Sequence, residues 1–162
     1  MTAGWVGVAC SEPPMISLAI RPSRFSYDLI KASGEFVINI PTANILKEVD
    51  YCGTYSGRHV DKFQRAGLTP LLASRVRPPL IEECPVNLEC IVRESLRLGT
   101  HELFIGEVLV VSADPAIIVD RGKQQNALGF GDINPIVVNF LEYWNLGKKL
   151  GDAFQEHREK VF

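Results

Sequence analysis

The chain has no C-x-x-C pair, no G-x-G-x-x-G run and no cysteine–histidine spacing suited to zinc. These absences argue against a metal site and against the usual dinucleotide-binding turn. No apolar run approaches the roughly 18 residues that a membrane span needs. Charge of one sign is also lacking: 17 Lys and Arg stand against 19 Asp and Glu, for a net charge of −2. That balance argues against a nucleic-acid or anionic-membrane partner. The opening residues Met1-Thr2-Ala3-Gly4-Trp5 lack the basic flank and apolar core of a signal peptide, so a cytoplasmic location is expected. Repeats, low-complexity tracts and domain linkers are absent as well.

What is present is an ordinary globular composition, 46% apolar and 22% charged over 162 residues, which predicts one domain spanning 1–162. The cysteines, Cys10, Cys52, Cys84 and Cys90, are expected as buried free thiols. Cys52 is the exception, beside Gly53 in a polar loop. Trp5 to Cys10 and Met15 to Ile20 read as strands joined by Ser11-Glu12-Pro13-Pro14. A helix is expected from Phe25 to Ser33, with Ser23 or Ser26 as N-cap and Gly34 as its stop. Glu35 to Ile40 reads as a strand ended by Pro41. Ile45, Leu46, Val49 and Cys52 follow helical spacing, as do Val60 and Phe63 in a shorter helix closed by Gly67.

From Leu68 onward the pattern is β. Pro85 to Glu94 alternates, with Val86, Leu88, Cys90 and Val92 facing in. Glu102 to Ser112 is apolar on both faces, the mark of a central strand. Ala116 to Val119 reads as more strand, Asp120 to Gln125 as a loop and Pro135 to Phe140 as a last strand. Tyr143, Leu146, Leu150 and Phe154 then mark one stripe of a C-terminal helix. Strands, then short helices, then strands make an α+β plan, a mostly antiparallel barrel with peripheral helices.

Within this plan one segment points to chemistry. Arg21-Pro22-Ser23-Arg24-Phe25-Ser26-Tyr27-Asp28 joins a strand to a helix. The first N–H groups of a helix lack intrahelical partners and carry partial positive charge, which suits an anion. Arg21 and Arg24 add charge-assisted donors, and Ser23 and Ser26 add hydroxyls. The guest expected here is a phosphate. Each of these residues also has a plainer reading, as a solvated turn or a helix cap. His101, before the central strand, reads equally as a polar strand end, and His157 as a solvent-exposed residue of a charged tail. No serine–histidine–aspartate or paired-carboxylate arrangement emerges from the spacing, so no catalytic residue is nominated.

Three stretches taken in order carry a resemblance. They are Met1-Thr2-Ala3-Gly4-Trp5, the Arg21–Asp28 turn with Ser33-Gly34-Glu35-Phe36-Val37-Ile38-Asn39-Ile40-Pro41, and Tyr51-Cys52-Gly53-Thr54-Tyr55-Ser56-Gly57-Arg58-His59-Val60-Asp61-Lys62-Phe63. Together with Gly99-Thr100-His101-Glu102-Leu103-Phe104-Ile105-Gly106-Glu107-Val108 they resemble the flavin reductase-like, FMN-binding split-barrel family, in particular its flavoredoxin-like branch. The resemblance implies a split β-barrel that binds FMN, with FAD as the alternative flavin. It implies Thr2, Ala3 and Trp5 along the isoalloxazine ring and Arg21, Ser23 and Ser26 at the phosphate. Ser56, Gly57, Lys62 and Phe63 would line the pocket.

The resemblance further implies an NAD(P)H-dependent flavin reductase, with NADH or NADPH as reductant. The alternatives are an electron carrier with bound FMN, serving a redox partner protein, and a non-catalytic flavin-binding module. A homodimer with the flavin near its interface is implied, to which an apolar C-terminal helix is suited. Family members carry a further strand ahead of Met-Thr. This sequence opens at that methionine, which reads either as a misassigned start or as a barrel without its first strand.

Overall fold

A computed structural model describes residues 1–121, 124–128, 133–139 and 141–151. The chain opens with a hairpin of β1 (Val6–Ser11) and β2 (Pro14–Ile20). Along β2 the alternation is strict: Ile16, Leu18 and Ile20 are buried and the residues between them are not. Next comes α1 (Phe25–Ser33), which stops where Gly34 takes the left-handed conformation, φ 69°, and donates its N–H to the Ile30 carbonyl at 2.8 Å. Glycine adopts that geometry without a Cβ clash. The strand β3 (Glu35–Ile40) follows at once.

A short 3-10 turn leads into α2 (Leu46–Thr54). The shorter α3 (Lys62–Ala66) is capped by Asp61, whose carboxylate accepts the Gln64 N–H at 3.1 Å. Val60 precedes this helix rather than belonging to it. The two-residue strands β4 (Pro70–Leu71) and β5 (Leu80–Ile81) pair with each other. Two 13-residue strands, β6 (Val86–Leu98) and β7 (His101–Ala113), then form the longest antiparallel pair.

These strands build a five-stranded antiparallel sheet in the order β1-β2-β7-β6-β3. β7 is central, as its two-sided apolar pattern predicts. β1 and β3 are the edges, so this mostly antiparallel sheet is not closed into a barrel. Ile16, Leu18, Ile20, Ile30, Phe36, Cys90 and Phe104 make the main core between the sheet and α1. Val86, Ile117 and Ile133 make a smaller one. β6 is covered on its other side too, because Glu89 is buried there and binds a loop. It accepts the Ser74 N–H at 3.0 Å, the Ser74 hydroxyl at 2.9 Å and the Arg75 N–H at 2.6 Å.

Several expectations change. Asp114 caps a 3-10 turn at Pro115–Ile117 by accepting the Ala116 N–H at 2.9 Å, so strand begins only at Ile118. β8 (Ile118–Arg121) and β9 (Gln124–Leu128) form a hairpin across the expected loop. β10 (Ile136–Asn139) matches the expected last strand, although it is followed by β11 (Glu142–Asn145), its hairpin partner. Tyr143 therefore lies on a strand, tied to α2 by its hydroxyl on Asp50 at 3.0 Å, and 146–151 form no helix. The expected C-terminal helix is overturned up to that point. Phe140, Phe154 and His157 lie outside the described residues. All four cysteines are free thiols, but only Cys84 and Cys90 are fully buried. No helix among the described residues is long and apolar enough to cross a membrane.

Candidate functional site

Two antiparallel neighbours, β2 and β7, place the site. β2 ends at Ile20 opposite Glu102, and the chain turns immediately into Arg21. The turn is wound by the Arg24 N–H on the Arg21 carbonyl and the Tyr27 N–H on the Arg24 carbonyl, both at 3.0 Å. This winding puts Arg24, not Ser23 or Ser26, at the N-cap of α1, with no side chain capping the helix. Both serine hydroxyls consequently lack a hydrogen-bond partner among the described residues. The ion pairs there are Lys31–Glu102, Arg58–Asp28, Arg77–Glu35 and Arg93–Glu107. Arg21 and Arg24 are exposed and have no carboxylate partner in that set.

The start of the chain lies against α2, where the Thr2 hydroxyl donates to the Val49 carbonyl. Gly53 gives Thr2 room, since a methyl at Gly53 would lie 3.3 Å from Thr2 Cβ. From α3, Lys62 reaches back and donates to the Cys52 carbonyl at 2.6 Å. Burial pushes the Lys62 ammonium below its ordinary value; Cys52 opposes this and the nearby Arg24 adds to it. The loop between α2 and α3 folds onto the start of α1. Ser56 accepts the Arg58 N–H at 3.3 Å, and Gly57 sits so close to Phe25 that a methyl there would approach its ring to 3.1 Å. Arg58 stacks 5.1 Å over the Phe25 ring and binds Asp28, neutralising the one acid in the first turn of α1.

The result is a two-part cleft. Its larger part, about 420 Å³, is lined by Thr2, Ser23, Ser26, Ser56, Gly57, Lys62 and Phe63, with Arg24, Phe25 and Cys52. Its smaller part, about 150 Å³, is lined by Ala3, Trp5, Arg21 and His101. Met1, Thr2 and Arg24 border both. The ten residues that the resemblance implies at the flavin thus line these two adjoining parts, and the larger part falls within the usual range for small-molecule sites.

The sequence reading passed over Phe25, Tyr55 and Asp61. It also gave no hint that the Trp5 and His101 rings stack, with centroids 4.4 Å apart. The Y-C-G-T-Y-S-G spacing carries the only sequence signal for Tyr55. Among the described residues, no group of three or more His, Cys, Asp or Glu is placed to hold a metal ion.

The open, mostly antiparallel sheet matches the split-barrel fold of solved flavoredoxins. Residues 1–127 match the model of the flavin reductase like domain, and the chain belongs to that family.

Its solved structural neighbours include the flavoredoxin of Desulfovibrio vulgaris (Miyazaki F), at 32% identity and a TM-score of 0.85, covering 95% of this chain and 81% of that one. A flavoredoxin from Methanosarcina acetivorans aligns at 27% identity and a TM-score of 0.85, covering 96% and 81%. An uncharacterized protein of Archaeoglobus fulgidus is 42% identical over 112 residues, 69% of this chain and 63% of its own length. The chain thus spans about three-fifths of the curated relatives it matches first.

Proposed function

We propose that this chain binds FMN and acts as an oxidoreductase that takes reducing equivalents from NADH or NADPH. The observation that carries the reading is the uncapped start of α1, flanked by Arg21 and Arg24 without carboxylate partners, and by two unengaged serine hydroxyls, among the described residues. This donor set fits a phosphate. Arg21, Arg24, Ser23 and Ser26 would hold it, with the Lys62 ammonium adding positive potential nearby. Thr2, Ala3 and Trp5 would lie along the ring, and Ser56, Gly57 and Phe63 would wall it. FMN, when bound, supplies the hydride and electron chemistry, while the protein supplies binding, orientation and electrostatics. Exposure of both arginines leaves the phosphate end open, as FAD would require.

The similarity to two flavoredoxins supports a second reading, an electron carrier that exchanges electrons with a redox partner protein. Oxidation of NADH and NADPH is therefore measured in the presence of FMN. Turnover with either supports the reductase; bound FMN without turnover, but with reduction by a protein donor, assigns the carrier. Protein whose addition changes neither FMN absorbance nor fluorescence overturns both. The proposed assembly is a homodimer, supported by exposed Trp5, Val8 and Trp144 and by the two unpaired sheet edges. Light scattering at a single-chain mass contradicts it.

A further inference from the structure

Glu102 lines neither part of the cleft, yet it is a carboxylate only 5% exposed at the start of the central strand. It accepts the Tyr27 hydroxyl at 2.7 Å on one oxygen and the Lys31 ammonium at 2.9 Å on the other. Tyr27 and Lys31 stand four residues apart, on successive turns of one face of α1. Across the sheet Glu102 pairs with Ile20, the residue immediately before Arg21. One carboxylate therefore ties together both elements that flank the Arg21–Arg24 turn: the end of β2 through the ladder and α1 through two side chains. Phe104, on the same strand, continues this contact, with its ring 5.8 Å from that of Tyr27.

Stability alone does not account for a charge in this place. Taking a carboxylate out of water is costly, and an apolar residue of similar volume is often as stabilising as a buried ion pair. Lys31 is also half exposed, which weakens the pair further. What the carboxylate adds is geometry, because it accepts directed bonds from two residues of α1 at once. The buried Glu89 is a useful contrast. Its bonds go to Ser74 and Arg75, so it orders a loop and nothing beside the cleft.

We propose that Glu102 is a positioning residue of the anion-binding turn. By holding Tyr27 near the start of α1 and Lys31 in its last turn, it fixes the helix against the end of β2, and so sets affinity for the phosphate of the bound flavin. This rests on the FMN-binding reading. It predicts an effect on the phosphate end of the ligand and none on the ring end. Lys31 and Tyr27 hydrogen bonds, with a further one from Ser95, hold the Glu102 carboxyl down at about 2, so it stays ionised across the working range.

FMN and riboflavin share the ring and differ in the phosphate, so the test is their relative affinity for the whole chain. Wild type, Glu102→Gln, Tyr27→Phe and Lys31→Met are titrated with each by fluorescence, and folding is checked by circular dichroism. Glu102→Gln is expected to weaken FMN by about tenfold, the size of one lost charge-assisted hydrogen bond, and to leave riboflavin within about twofold. Tyr27→Phe and Lys31→Met should shift the same ratio in the same direction, and they decide the matter if Glu102→Gln does not fold. Equal loss for both flavins, or loss for neither, overturns the inference while the FMN-binding reading of the wild type still stands. Wild type that binds neither flavin overturns the parent reading and this inference together.

Discussion

Gly106, on the central strand, faces the Phe36 ring, and a methyl group there would overlap its Cζ and Cε1 atoms. The strand cannot retreat, since Gly106 is paired with Ile16 on one side and Val92 on the other. Gly106→Ala is expected to cost about 1–3 kcal/mol, the usual range for overpacking a core. A thermal melt unchanged by the substitution contradicts this contact. At the candidate site, the strand–turn–helix junction with its arginines and serines was legible because Gly34 and the apolar run of β2 bound it. Their exact duties were not. Ser23 and Ser26 look like caps in sequence, but the hydrogen bonds of the turn place Arg24 at the cap and leave the hydroxyls unengaged. The Trp5–His101 stack joins residues far apart in the chain, and only the β1-β2-β7 order brings them together.

At the scale of elements, α1 depends on β7 through Glu102, and this dependence has a pH signature. The Glu102 carboxyl is lowered from its ordinary 4.5 to about 2, through hydrogen bonds from Lys31 and then Tyr27. A lowered folded-state value means stability that is fully present above about 4.5 and lost as pH falls towards 2. Lys31 moves the other way, raised chiefly by its bond to Glu102, so its share is present below its ordinary 10.5 and lost as pH rises through the raised value. Chemical denaturation across pH 5 to 2 should therefore fall less steeply for Glu102→Gln than for wild type; parallel curves contradict the pairing.

The bounds of α1 and β3 were readable because Gly34 and Pro41 punctuate them. The C-terminal region was misread for a physical reason. Tyr143, Leu146 and Leu150 repeat at helical spacing, but Tyr143 is held on β11 by pairing with Val138 and by Asp50. Local periodicity carries no information about such partners.

For the whole molecule, the open sheet gathers the site at one end, where β2 ends, β7 begins and the first residues meet α2 and α3. Elsewhere further carboxylates tie loops down. The Arg77 amide, and after it the Arg77 side chain, hold Glu35 below its ordinary value. At Glu83 and Glu89 burial would raise the carboxyl, but amides of Thr69, Ser74 and Arg75 outweigh it. All three are lowered, so each adds stability that disappears below about pH 4.5. Acid is expected to unfold the chain cooperatively in that window, followed by circular dichroism; a signal flat down to pH 2 contradicts it.

The central claim is that the Arg21–Ser26 turn holds the phosphate of FMN. Comparing FMN affinity of the wild type with that of Arg24→Ala tests it most directly. A charge-assisted hydrogen bond contributes about 1.5–3 kcal/mol, so the substitution should weaken FMN by roughly tenfold or more and leave riboflavin unchanged. FMN bound equally well by both proteins would contradict the claim.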